Sequence, residues 1–86
     1  MSILNNFKII SYDNARAIDV DITDLELKVF LEDGRVLSVP IDFFPSLNSA
    51  TLEQRKNWRL IGKGVGIHWE ELDEDISIAS LLGGSY

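Results

Sequence analysis

The chain contains no cysteine and a single histidine, His68. A structural zinc site of the usual Cys/His type and a cysteine nucleophile are excluded, because the required side chains are missing. Disulfide stabilisation is excluded as well, which fits a reducing compartment. A Ser–His–Asp hydrolase would have to use His68, but no Gly-x-Ser-x-Gly sequence is present. The common metal and hydrolase chemistries therefore find little support, and we predict no cofactor.

Long apolar runs are also missing. A membrane helix needs ~20 consecutive apolar residues, and no run approaches that length. The first ten residues contain only a short apolar-rich stretch, Phe7 to Ile10, which Lys8 interrupts, so no signal peptide is expected. These absences predict a cytoplasmic protein that makes no membrane contact.

Charge of one sign dominates, with 14 acidic and 8 basic residues and a net charge of −6. A uniformly acidic domain binds nucleic acid poorly, because the phosphate backbone repels it. The second half of the chain is uneven, however, since a basic group is followed by an acidic group. These groups are Arg55, Lys56, Arg59 and Lys63, then Glu70, Glu71, Asp73, Glu74 and Asp75. The net charge therefore does not reveal the local separation of positive and negative charge along residues 55–75.

Length and composition predict one small domain over residues 1–86, with an ordered core at about residues 6–83. A hydrophobic fraction of 45% is ordinary for a globular protein. A chain this short buries only about two thirds of its unfolded surface, so its stability should be marginal. Homodimerisation through an exposed strand edge would add to that stability.

The first half of the sequence predicts strands. Apolar and acidic residues alternate over residues 18–22, and residues 25–31 repeat the alternation. Asp33-Gly34 predicts a hairpin turn, because glycine accepts positive φ, and residues 36–39 then form the partner strand that Pro40 ends. Residues 7–12 are a candidate further strand. The apolar side chains expected to face inward are Ile18, Val20, Ile22, Leu25, Leu27, Val29 and Leu31.

The second half predicts one main helix over residues 51–61. Thr51 and Gln54 fit a capping box, and Gly62 fits the position just after a helix end. Trp58 and Ile61 would share one face and pack on the sheet. Residues 67–69 should then be extended, residues 70–75 an acidic turn, and the segment ending at Leu82 a short helix. The prediction is an α+β fold: a small antiparallel sheet of three to four strands in a hairpin meander, packed against one main helix, with a short C-terminal helical segment.

Two clusters in this half are candidates for chemistry. His68 with Asp73 and Asp75 could bind a divalent cation, although the spacing does not match a calcium loop. We favour a structural role, in which the imidazole simply hydrogen-bonds an acidic neighbour. Gly62, Gly64 and Gly66 do not match the Gly-x-Gly-x-x-Gly or P-loop patterns, so they indicate backbone bends instead of a phosphate site.

The basic group allows two interpretations. Arg55, Lys56, Arg59 and Lys63, with Trp58 among them, could contact nucleic acid. Alternatively, Arg55 and Arg59 pair with the acidic turn that follows them in sequence. The short separation between the opposite charges favours pairing.

The residues described so far resemble the bacterial domain of unknown function 2442, over about residues 15–83. The motifs that carry the resemblance are Asp33-Gly34-Arg35, Val39-Pro40, Phe44-Pro45, Ala50-Thr51, Glu53-Gln54-Arg55, Trp58, Gly62, Gly66-Ile67-His68-Trp69 and Leu72-Asp73-Glu74-Asp75-Ile76-Ser77. Leu52 and Glu70 depart from the family, which usually has proline at the first of these positions and frequently has it at the second. The resemblance implies a compact α+β domain. It carries over no catalytic residue. Some members are fused to a helix-turn-helix domain, and others are similar to the second component of predicted toxin–antitoxin-like gene pairs.

These observations favour a non-catalytic protein-interaction module over an enzyme. Its partner would be a small co-encoded protein, toward which this chain has an antitoxin-like or regulatory role. The candidate partner-binding residues are Trp69, His68, Asp73, Asp75, Arg55 and Arg59, because tryptophan and arginine often anchor interfaces. The alternatives are a small metal-dependent or acid–base enzyme centred on His68, and nucleic-acid contact through the basic group.

Overall fold

The computed structural model describes residues 15–83. Over this range the chain forms two antiparallel sheets of three strands each and three short helices. The elements are β1 (Ala17–Ile22), β2 (Glu26–Leu31), β3 (Val36–Pro40), α1 (Pro45–Asn48), α2 (Leu52–Lys56), β4 (Trp58–Ile61), β5 (Gly66–Trp69), β6 (Glu74–Ser77) and α3 (Ile78–Gly83). None of the helices in this range is long and apolar enough to cross a membrane.

The predicted α+β class is confirmed, but the predicted arrangement of one sheet on one main helix is not. The sheet order is β1-β2-β3 in one sheet and β4-β5-β6 in the other. One cluster of buried apolar side chains takes residues from both sheets and from α1 and α3. The strand proposed for residues 7–12 lies outside the described residues.

The β2–β3 hairpin forms at the predicted Asp-Gly turn. Gly34 adopts φ +95°, the left-handed region that glycine enters at least cost. The Asp33 carboxylate accepts hydrogen bonds from the backbone N–H of Arg35 at 3.0 Å and from its Nε at 2.8 Å. A local sequence signal therefore determines this turn, and the turn sets the register of the two strands.

Two apolar residues predicted to face inward are exposed instead. A register shift between Ala17 and Asp19 inserts an extra residue into β1, so Ala17 is buried and Ile18 is 62% exposed. Leu25 is 79% exposed because it lies in the turn before β2, where its N–H bonds to the Thr23 hydroxyl. The alternation holds only within the regular part of each strand.

The predicted main helix is wrong over its second half. The capping box is present, since Thr51 Oγ1 accepts from the Gln54 N–H and Gln54 Oε1 accepts from the Thr51 N–H. The helix ends at Lys56, however, and residues 58–61 form β4, which pairs with β5. Hydrogen bonds to β5 outweigh the local helix preference of residues 58–61. The sequence contains no sign of these bonds, because they join segments that are separated along the chain.

Glycine permits the close approach between the two sheets. Gly62 and Gly64 have φ of +59° and +97° in a 3₁₀ turn between β4 and β5. A Cβ on Gly64 would overlap the carbonyl oxygen of Ala17 in β1. Glycine at this position therefore lets the turn lie directly against the first sheet, in line with the backbone-bending role predicted for the glycines.

Candidate interaction surface on the outer face of the second sheet

Trp69 was predicted to lie on a partner-binding surface, but its side chain is fully buried. Its indole Nε1–H donates a 2.8 Å hydrogen bond to the backbone carbonyl of Arg55. Side chains alternate along β5, so Trp69 shares the inner face with Ile67. The same alternation was visible in the sequence Gly66-Ile67-His68-Trp69 and places His68 on the opposite face.

Arg55 is also buried, with 7% of its surface exposed. Its guanidinium donates to three backbone carbonyls: Leu47 at 2.8 Å, Asn48 at 3.0 Å and Thr23 at 3.3 Å. The guanidinium also makes an ion pair with the carboxylate of Asp24, with 3.6 Å between Arg55 Nη1 and Asp24 Oδ1. The predicted pairing of Arg55 with the acidic turn is therefore wrong. The side chain instead joins α2 to α1 and to the β1–β2 turn. The sequence holds no signal for this role, since a buried arginine looks like any other helical arginine.

The outer face of the second sheet brings together charges from three neighbouring strands. Cross-strand register places Arg59 of β4 beside His68 of β5, and His68 beside Asp75 of β6. The His68 ring Nδ1 hydrogen-bonds the Asp75 carboxylate, while Nε2 lies 3.3 Å from Glu70 Oε1. The Arg59 guanidinium donates to the same Glu70 oxygen at 3.2 Å. We call these four residues, Arg59, His68, Glu70 and Asp75, the outer charged row.

Exposure differs within the outer charged row. The side chains of Arg59, Glu70 and Asp75 are well exposed, at 63%, 75% and 67%, whereas that of His68 is 14% exposed. The imidazole is therefore the least exposed member of the row, and its charged neighbours remain accessible to solvent. The predicted pairing with the acidic turn is correct for Arg59.

The Asp75 carboxylate, through its hydrogen bond to the ring, raises the pKa of His68 above its ordinary value. The negative charges of Asp75 and Glu70 act in the same direction. Burial of the ring and the positive charge of Arg59 oppose the shift. The imidazolium is thus the form of His68 that the outer charged row favours.

We expect His68→Gln to destabilise the protein more in mildly acidic than in alkaline solution. The pKa of His68 is raised in the folded protein above the ~6.5 of an unfolded chain. Stabilisation by the imidazolium is therefore fully present below about pH 6.5 and is lost as the pH rises through the folded-state pKa. The measurement is urea unfolding of both proteins between about pH 5.5 and about pH 9. A destabilisation that is constant or grows with pH would contradict the assignment.

The remaining carboxylates of the acidic turn have other surroundings. Asp73 is exposed, with φ +50°, and its N–H bonds to the Glu70 carbonyl at 3.3 Å. Glu71 accepts from Asn57 Nδ2 at 3.3 Å, and Glu74 accepts from the Ser46 hydroxyl. Between residues 15 and 83, no group of three or more His, Cys, Asp or Glu side chains is arranged to hold a metal ion. The metal-binding alternative for His68, Asp73 and Asp75 thus gains no structural support.

The basic residues, of which three were predicted to lie on the main helix and Lys63 just after it, are found on three different elements. Arg55 and Lys56 belong to α2, Arg59 to β4, and Lys63 to the 3₁₀ turn, with φ +59°. Because Arg55 is buried and Arg59 is paired with Glu70, the group presents no continuous helical patch.

Sequence reasoning missed an open cavity of about 310 Å³ between the end of β1 and α2. Its lining residues are Asp21, Ile22, Thr23, Asp24, Leu52 and Lys56. No lining residue belongs to the second sheet, so the cavity is separate from the outer charged row.

The fold and the row define a small α+β domain with a cluster of charged side chains on the outer face of its second sheet. The chain belongs to the family described as Protein of unknown function (DUF2442), whose model matches residues 17–86. The predicted family is thereby confirmed. No curated protein matches the chain.

Two solved bacterial structures are similar to it. A protein of unknown function from Rhodospirillum rubrum is 32% identical with a TM-score of 0.72, covering 83% of this chain and 88% of its own. An uncharacterised protein from Chromobacterium violaceum is 22% identical with a TM-score of 0.73, covering 99% and 81% respectively. The second likeness concerns the fold alone.

Proposed function

We propose that this protein is a non-catalytic interaction module that binds a small basic protein through the outer charged row. The observation that carries the proposal is the lateral register of Arg59, His68 and Asp75 on three neighbouring strands. The opposite face of the same strands is packed into the core, where Ile67 and Trp69 are fully buried. The strand pairing thus sets the backbone positions from which these accessible charges extend, which lowers the ordering cost of binding.

The geometry of His68 favours recognition over acid–base catalysis. A general base needs an imidazole nitrogen within hydrogen-bond reach of the substrate proton. Here Nδ1 is engaged by Asp75 and Nε2 lies beside Glu70. Both ring nitrogens therefore serve the internal ion-pair network, and the charges that remain accessible are those around the ring.

Charge indicates the chemistry of the partner. The β5–β6 connection and the start of β6 carry five carboxylates, against the single guanidinium of Arg59 in the row, and the whole chain has a net charge of −6. Complementary potentials guide association, so a basic partner surface fits this face. The resemblance to components of predicted toxin–antitoxin-like gene pairs supports a small co-encoded protein as that partner. The role we propose for this chain is antitoxin-like or regulatory.

Titration calorimetry with the small protein encoded beside this gene tests the proposal. The full chain is compared with Glu70→Gln and Asp75→Asn, which neutralise the outer charged row. Glu32→Gln, in the β2–β3 turn of the other sheet, removes the same charge elsewhere and is the matched control. We expect each row variant to weaken binding about ten-fold or more, while the control stays within about two-fold.

Higher salt should weaken binding of the native chain, because exposed charges are screened. Unfolding curves of the variants verify that they remain folded at the titration temperature. Failure of the basic neighbour to bind, or equal weakening by all three substitutions, rejects the proposed function.

A further inference from the structure

Among the described residues, no strand pairs with the outer edge of β3. Within residues 15–83, the first sheet has the order β1-β2-β3, so β3 pairs with β2 on one side only. Hydrogen bonds from the Leu31 N–H to the Arg35 carbonyl and from the Ile41 N–H to the Leu25 carbonyl flank this pairing, both at 2.9 Å.

The pairing register determines which backbone groups point away from β2. In an antiparallel pair, hydrogen-bonded positions alternate with non-bonded ones. The flanking residues at positions 35 and 41 are hydrogen-bonded to β2, so the backbone groups of Leu37 and Val39 between them also face β2. The backbone groups of the alternate residues, Val36, Ser38 and Pro40, therefore face away from β2. Proline has no backbone N–H, so Pro40 fits an outward position, where β2 requires no hydrogen bond from it. The edge therefore offers the N–H and C=O groups of Val36 and Ser38.

β3 lacks the charged side chains that protect many sheet edges, and proline, another common protection, is present only at its last residue, Pro40. Edge strands commonly carry charged residues that prevent pairing with another chain. The β3 sequence Val-Leu-Ser-Val-Pro contains no charge, while β1 and β6 each carry two carboxylates and β4 carries an arginine. For a chain of net charge −6, β3 is thus, among the edge strands of the described residues, the one at which two copies repel each other least.

The exposed apolar side chains of β3 also favour pairing of this edge with another strand. Val36 is 50% exposed, and Leu37 is only partly buried although it packs against the core. A strand added beside β3 would cover both side chains and extend the inner face of the sheet.

We propose that two copies of this chain associate through antiparallel pairing of their β3 strands around a two-fold axis at Leu37. Val36 of each copy then lies opposite Ser38 of the other. Four backbone hydrogen bonds satisfy all the outward N–H and C=O groups of these two residues. Leu37 faces its symmetry mate at a non-bonded position, where the Cα atoms are ~4.5 Å apart and side chains contact. The result is a six-stranded sheet with an isologous interface.

Sedimentation velocity of the full chain over a concentration series tests this dimer. The interface is small, so we expect dissociation in the micromolar range and a sedimentation coefficient that rises with concentration. Ser38→Pro removes one outward N–H without affecting the bonds to β2, and Val36→Lys adds a charge at the edge. Each variant is expected to raise the dissociation constant at least about ten-fold.

Leu25→Lys is the matched control, because it places the same charge at another exposed apolar residue, outside the strands. It should dimerise like the native chain. The proposal is overturned by a native protein that stays monomeric at every concentration, or by a dimer that both edge variants leave intact. Equal weakening by Leu25→Lys would overturn it as well, since association would then depend on net charge. Circular dichroism is the check that each variant is folded.

Discussion

Trp69→Ala should remove a large part of the stability of this protein. The indole is fully buried and donates a 2.8 Å hydrogen bond to the Arg55 carbonyl. Truncating a buried tryptophan costs about 3–5 kcal/mol, and the loss of its donor leaves a carbonyl unsatisfied. Small domains have total stabilities of only about 5–15 kcal/mol. Urea unfolding followed by circular dichroism should therefore show a midpoint displaced far toward zero denaturant.

Trp58→Ala is the control for this prediction. Trp58 lies directly opposite Trp69 in the β4–β5 register but is only half-buried. Its truncation should cost roughly 1–2 kcal/mol, within the usual range of point substitutions. Trp69→Phe, which retains an aromatic ring and loses the donor, should fall between the two. If both alanine variants lose equal stability, Trp69 does not have the central packing role assigned to it.

Arg55→Met should destabilise the protein by about 3 kcal/mol or more. The substitution retains apolar volume but removes the donors to the carbonyls of Thr23, Leu47 and Asn48. These carbonyls anchor two helices and a turn to one another, and charged hydrogen bonds are the stronger kind. The free energy of unfolding from urea titration, with unchanged m value, is the measurement.

Arg59→Met provides the comparison with an exposed arginine. Arg59 is 63% exposed and makes an ion pair with Glu70 at 3.2 Å, and exposed pairs contribute at most about 1 kcal/mol. We expect a change within about 0.5 kcal/mol. Similar losses for the two arginines would show that Arg55 does not hold the described contacts in solution.

The parts of the fold that were predictable depend on contacts between near neighbours in the chain. The Asp33-Gly34 turn and the Thr51–Gln54 capping box are complete within four residues, and both form as predicted. The extended β5 and the short helix α3 also follow from local alternation and a local apolar run. Predictions from such local signals are correct because the interacting atoms are close together in the chain, whatever the tertiary structure around them.

The incorrect predictions involve residues whose structure is decided by distant partners. Residues 58–61 follow a good helix start, yet their pairing with β5 makes them a strand. Ile18 fits the alternation of its strand, but the bulge next to it moves it to the surface. In both cases the local preference is worth a few tenths of a kcal/mol per residue, which long-range pairing and burial readily exceed.

The candidate surface likewise combines a feature that local sequence indicates with one that depends on long-range strand pairing. Alternation along Gly66-Ile67-His68-Trp69 contained the signal that separates His68 from the buried Trp69, but both residues were predicted to lie on one surface. The meeting of His68 with Arg59 and Asp75 required the register of three strands, which only the tertiary structure supplies.

The sequence alone determined the α+β class, the family, the hairpin turn, the helix cap and the absence of cysteine chemistry. The tertiary structure decided that residues 15–83 form two sheets, that Arg55 and Trp69 are internal, and that the outer charged row exists. The physical reason is the range of the interactions. Turns and caps are stabilised by atoms a few residues apart, whereas burial and strand register depend on which distant segments exclude water from one another.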